Sequence, residues 1–148
     1  YRNVIGIWIR KVLKGESIVI FGDGKQKRAF SDIKFCLEPM EKLLTRYDGQ
    51  IFNLGSDKEY TLNEVAEILK QVAEEFGINV VIEYAEARHE VKNAYCDHTK
   101  AKNLLDFKDE TNLKATIREM FVWAMRQEDR EVKPMPYELE KGMYDYWK

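Results

Sequence analysis

The chain has 148 residues, of which 45% are apolar and 34% charged, enough to bury a core as one domain or one piece of a domain. Its formal charge of −2 comes from 24 basic and 26 acidic side chains mixed along the length, which excludes a dedicated nucleic-acid surface with its one-sided basic excess. There is no run of eighteen apolar residues to span a membrane and no visible secretory signal, and Cys36 and Cys96 lie far apart without a CxxC, so they read as reduced thiols in a cytoplasmic setting.

In chain order, Val4, Ile5, Trp8, Ile9, Val12 and Leu13 recur at helical spacing, Ile7 widens the stripe, and Gly15 is placed to end the helix. Ser17 to Phe21 predicts a short strand by its β-branched content. Gly22-Asp23-Gly24 predicts a turn that uses positive φ for a tight reversal. Arg28 to Ile33 reads as a second extended segment, with a helix from about Phe35 to Arg46 after it. Asp48-Gly49 breaks that helix, and Ile51 to Gly55 is strand-like.

The clearest local signal is the capping box Thr61-x-x-Glu64, which opens a helix with Leu62, Val65, Ala66, Leu69, Val72, Ala73 and Phe76 on one face. Gly77 closes it, and Asn79 to Tyr84 predicts a strand. Two more helices are expected, near His98 to Leu105 and from about Asn112 to Gln127. Short strands separated by helices make the fold class α/β. The tail holds Pro134, Pro136, Tyr137, Tyr144, Tyr146 and Trp147, aromatic but not periodic, so residues 132–148 are read as an extended arm beside a folded portion at 1–131.

Four ordered blocks carry a family resemblance. Ile20-Phe21-Gly22-Asp23-Gly24-Lys25-Gln26-Lys27-Arg28-Ala29-Phe30 resembles the "FGDGxQxRxF" stretch of NAD-dependent nucleotide-sugar epimerases and dehydratases, the extended short-chain dehydrogenase/reductase type that includes UDP-glucose 4-epimerase. Asn3-Val4 with the following helix, Phe52-Asn53-Leu54-Gly55 with Tyr60-Thr61-Leu62-Asn63-Glu64, and Arg88-His89-Glu90-Val91 with Asp97-His98-Thr99-Lys100-Ala101 are similar to that family's other blocks in order and spacing. Trp123 falls where its final helix often carries tryptophan. The resemblance implies the C-terminal, substrate-binding portion of an extended Rossmann-type enzyme, with small mixed strands and helices. It also implies that the NAD-binding Rossmann half is absent, and that the complete enzyme is a homodimer acting on a sugar nucleotide, a UDP-sugar being favoured.

The residues bear on that implication directly. A dinucleotide fingerprint needs three glycines between a strand and a helix, and here Lys27 stands at the third position. The family's catalytic Tyr-x-x-x-Lys has two matches, Tyr137 with Lys141 and Tyr144 with Lys148, but both follow the sugar-binding blocks instead of preceding them. No catalytic residue is therefore assigned, and the chain by itself is expected to be inactive. The alternative is a non-catalytic, stand-alone or degraded binding module.

For binding, Arg28 is the first candidate, because a guanidinium grips phosphate oxygens by two parallel bonds and stays charged. Its plain alternative is a solvated charge on a hairpin. By resemblance, Arg88 reaches the same pyrophosphate from the other side, Glu90 accepts ribose hydroxyls, and Asn3 and Val4 bring a helix start to the diphosphate. Val19 and Phe21 would line the base pocket, and Tyr95 would stack near the base. His89, His98 and Cys96 lack metal-ligand spacing and read as ordinary polar residues. After Ser31 the sequence departs from the family: Lys34 and Phe35 replace acids that would open the next helix, so a weakened cap is expected there.

Overall fold

The computed structural model describes residues 3–128. The expected arm at 132–148, with its two Tyr-x-x-x-Lys spacings, lies outside the described residues. Helices and short strands run in the order α1 (Val4–Leu13), β1 (Ile18–Phe21), β2 (Lys27–Ala29), α2 (Lys34–Leu43), β3 (Glu59–Thr61), α3 (Leu62–Glu74), β4 (Ile82–Ala85), β5 (Asn93–Ala94), α4 (Thr99–Leu105) and α5 (Leu113–Met125). This is the mixed α/β arrangement expected. No described helix is long and apolar enough to cross a membrane.

Local chemistry explains the helix starts. Thr61 and Glu64 form the full capping box: the Thr61 N–H donates to Glu64 Oε2 at 2.7 Å and the Glu64 N–H donates to Thr61 Oγ1 at 3.2 Å. Asn3 caps α1 by accepting from the Gly6 N–H, and Asn112 caps α5 by accepting from the Ala115 N–H. The helix after Ser31 does begin without a side-chain cap at its N-cap residue, Ile33. Asp32 compensates one position earlier, accepting from the Lys34 N–H at 3.0 Å. α2 therefore forms over Lys34–Leu43 in spite of the departure from the family's acids.

Burial then assembles the helices. Ile5, Trp8, Ile9 and Val12 of α1, Val65, Leu69 and Val72 of α3, and Leu113, Ile117 and Phe121 of α5 join Ile18 and Ile20 of β1 in one apolar cluster. A smaller cluster holds Cys36, Ala101, Leu105 and Phe107, with Phe35, Leu43, Tyr47, Phe52 and Leu54 packed against it.

The strands differ from expectation in an informative way. The segment Ile51–Gly55 is not a strand; it is tied to the start of α4 by side-chain bonds, Lys100 Nζ donating to Ile51 O at 3.0 Å and Asn53 Nδ2 donating to Asp97 O at 3.2 Å. The strand lies later, at β3. Gly22 and Gly24 have φ of 77° and 69°, as a tight turn needs, yet β1 and β2 do not pair with each other across it. β1 pairs in parallel with β4, from Ile18 opposite Ile82 to Phe21 opposite Ala85. β2 lies between antiparallel β3 and parallel β5, with Arg28 opposite both Tyr60 and Ala94. Arg28 is thus on a central strand and not on a hairpin, and the 22–26 connection joins two separate sheets.

Candidate functional site

The chain crosses from the first sheet to the second twice, through residues 22–26 and through residues 86–92, and the two connections run side by side. The Gly22 N–H donates to Ala85 O at 3.0 Å and the Lys27 N–H to Lys92 O at 2.8 Å. A Cβ on Gly22 would stand 3.4 Å from Ala87 Cβ, a close approach that also needs the positive φ. The start of α3 pins the first connection from below. Asn63 Nδ2 donates to Asp23 O at 3.0 Å, the Asn63 N–H to Gly24 O at 3.1 Å, and the Tyr84 hydroxyl to Asn63 Oδ1 at 3.1 Å. Asn63, quoted only as part of a motif, is the residue that fixes this turn.

Four expected site residues form two pairs at and beside these connections. Arg28 Nη1 donates to Lys27 O at 2.7 Å, and Arg28 Nη2 lies 3.7 Å from Glu90 Oε2, a loose ion pair with both side chains partly exposed. The Arg88 guanidinium sits 3.3 Å above the Phe21 ring centroid, a cation–π stack. Along β1 burial alternates, Ile18 and Ile20 inward and Val19 and Phe21 half-buried on the other face. Val19 and Phe21 therefore share the face on which Arg88 lies. Its backbone is fixed as well: Val19 O accepts from Trp8 Nε1 and Phe21 O from Gln26 Nε2.

The others are placed elsewhere. Asn3 is exposed at the head of α1 with its side-chain oxygen on Gly6, and Val4 packs against the large core. Tyr95 is exposed on the edge of a recess of about 280 Å³, next to Cys96, His98 and Lys102.

That recess contains a grouping the sequence did not reveal. His98 is buried, only 6% exposed, with Nε2 2.6 Å from Asp57 Oδ1 and Nδ1 3.8 Å from Cys96 Sγ. It is not the ordinary polar residue expected. Lys102 Nζ also reaches Asp57 Oδ1, at 2.7 Å. Bonds from the Lys102 ammonium first, and from His98, hold the Asp57 carboxyl below its ordinary range. Cys96-x-His98 was a visible spacing, but Asp57 lies in a remote loop that no local pattern ties to it.

The first grouping consists of two guanidinium groups, a carboxylate and an aromatic ring, on and beside one pair of connections. Gly22-Asp23-Gly24 leads from strand to strand, and no strand–glycine loop–helix unit occurs among the described residues.

Comparison with known proteins shows the family and the fold. The family described as GDP-mannose 4,6 dehydratase matches residues 2–120. A UDP-N-acetyl-alpha-D-glucosaminuronate decarboxylase of Bacillus cytotoxicus is 29% identical over 83% of this chain and 40% of its own length. A putative UDP-glucose 4-epimerase of Methanocaldococcus jannaschii is 34% identical over 82% of this chain and 38% of its own. The solved UDP-glucuronic acid 4-epimerase of Bacillus cereus, in complex with UDP-glucuronic acid and NAD, has the same fold: TM-score 0.73 at 20% identity, over 84% of this chain and 40% of that one. The chain thus spans about 40% of the length of the curated relatives it matches.

Proposed function

We propose, from the premise that this chain belongs to the GDP-mannose 4,6 dehydratase family of NAD-dependent epimerases and dehydratases, that it binds the nucleotide-diphosphate part of a sugar nucleotide as the C-terminal portion of such an enzyme. The observation that carries the reading is that Arg28 pairs with Glu90 and Arg88 stacks on Phe21, the strand residues Arg28 and Phe21 flanking one connection and the other two lying on its neighbour. Arg28 and Arg88 neutralise the diphosphate, Glu90 accepts ribose hydroxyls, and Val19 and Phe21 face the base. A UDP-sugar is the favoured ligand, in keeping with the sugar nucleotides in the relatives' names.

Glu90 holds Arg28 at a distance that a doubly charged diphosphate can improve on, since charge-assisted bonds to guanidinium are best near 2.8 Å. Binding energy of this kind orients the sugar for chemistry done elsewhere. The residues that bind NAD and move protons and hydride belong, in this reading, to a Rossmann half of the parent protein, and the isolated chain has no turnover. Ile33, Leu37, Met40 and Leu44 lie exposed on and beside α2, and the reading assigns them to contact with that half.

The test is the kinetics of the parent enzyme with a UDP-sugar. Arg28→Ala is expected to raise KM by roughly 10- to 100-fold, the loss of a charge-assisted contact. An unchanged KM would remove Arg28 from the site and the reading with it.

A further inference from the structure

We propose that Cys96 is a reactive thiol, and that the recess it borders is a site of covalent modification by small disulfides. Three side chains from two segments build it. Asp57 Oδ1, 2.6 Å from His98 Nε2, accepts the proton on that nitrogen and so leaves Nδ1 as the acceptor. Nδ1 faces Cys96 Sγ at 3.8 Å. Nucleophile, base and a carboxylate that orients the base are the parts an activated thiol requires.

The surroundings hold that geometry. His98 is buried and packs edge-on against the Phe107 ring, with centroids 5.6 Å apart, so the imidazole keeps its orientation. Sγ lies against Gly55, where a Cβ would come within 2.8 Å of it and displace the sulfur. Cys96 itself is partly exposed and borders the recess, whose lining also holds Lys102, Asp57, Glu59 and Asp97, so a small disulfide can reach the sulfur. Cys36 provides the contrast. It is buried, and that burial, with the nearby Asp109 and Asp32 carboxylates, pushes its thiol up.

The step is a thiol–disulfide exchange. The Cys96 proton passes to His98 Nδ1, and the thiolate attacks one sulfur of a small disulfide R–S–S–R. That S–S bond breaks, a Cys96–S–S–R bond forms, and the departing RS⁻ takes up the proton from the imidazolium as RSH. Electrons and protons balance with the disulfide as the only co-reactant.

The experiment treats the full chain with oxidised glutathione or 5,5′-dithiobis(2-nitrobenzoate) near pH 7 and locates the adduct by peptide mass. Cys96 is expected to react about 10-fold faster than N-acetylcysteine, in line with a free thiol being only a few per cent thiolate at that pH, and faster than Cys36 by a wider margin. Cys96→Ser removes the fast phase. Asp57→Asn and His98→Gln each slow it about 10-fold. Because His98 is buried and its variant is at risk of unfolding, Asp57→Asn, at an exposed position, carries the decision, with far-UV circular dichroism as the folding control. Overturning results are a Cys96 rate no greater than that of the free thiol, or a fast phase unchanged in Asp57→Asn.

Discussion

Around α3 the chain closes over a continuous set of apolar side chains from three helices and β1, whereas between α2 and α4 only Cys36, Ala101, Leu105 and Phe107 are buried together. The second region makes up the difference with directed bonds to backbone oxygens. Lys42 Nζ donates to Leu105 O at 2.8 Å, the Tyr47 hydroxyl to Leu104 O at 2.9 Å, and Lys100 Nζ to Ile51 O at 3.0 Å. Non-directional burial positions helices and tolerates small shifts, whereas a bond of this kind contributes about 1 kcal/mol and only in one geometry. Both candidate sites follow this division. The arginine corner stands on strands backed by the large core, and the Cys96–His98–Asp57 group stands on loops beside the small one.

The largest effect is expected from emptying the large core. Ile117→Ala, at a position with no exposure, should destabilise the chain by about 2–5 kcal/mol and lower protection throughout in hydrogen exchange. Leu105→Ala in the small cluster should loosen α2, α4 and the 51–57 loop while α3 and α5 keep their protection. Equal global loss from both would mean that the clusters form one cooperative unit.

The next effect concerns the seam between the regions, where Asp32 is buried. Its Oδ2 accepts from the Thr116 hydroxyl of α5 at 2.8 Å, its Oδ1 from the Lys34 N–H of α2 at 3.0 Å, and its own N–H donates to Thr111 Oγ1 at 2.9 Å. Asp32→Ala should cost about 1–3 kcal/mol by stranding the Thr116 hydroxyl and the Lys34 N–H. Urea denaturation followed separately by Trp8 and by Tyr47 should show the two regions moving apart; a single unchanged transition would make Asp32 dispensable.

The same contrast decides what the sequence could reveal. α1, α3 and α5 were legible because their apolar periodicity records the burial that holds them, and the Thr61–Glu64 box records a local bond. The strands were not. The hydrophobic run at 51–55 looks like a strand but lies in a loop, and the pairing of Arg28 with Tyr60 and Ala94 depends on partners remote in the chain. At the arginine corner, residue types and motif order named Arg28, Glu90, Arg88 and Phe21, whereas their pairing, Arg28 with Glu90 and Arg88 with Phe21, is visible only in the fold. The His98 group escaped because Asp57 meets His98 only through the folded loop.

The smallest effect is acid sensitivity, expected first in the small region. Asp57 is held below its ordinary value near 3.8 by Lys102 and His98, and Asp97 likewise by the Thr99 hydroxyl and N–H. A carboxyl whose folded pKa is depressed contributes stability that is fully present above its unfolded value and is lost as pH falls through the folded one. Between neutrality and about pH 5 these carboxyls stay ionised and their contribution should not change. Below about pH 4 the amides of Thr99 and Lys102, at the start of α4, should exchange faster while Trp8 fluorescence stays native. Glu64 is also held low, by the Thr61 N–H and hydroxyl, so the α3 cap weakens in the same range. But α3 keeps Val65, Leu69 and Val72 fully buried, and it should outlast α4. If α3 and α4 lose protection together on acidification, the polar bonds of the small region contribute no more than the apolar contacts they accompany.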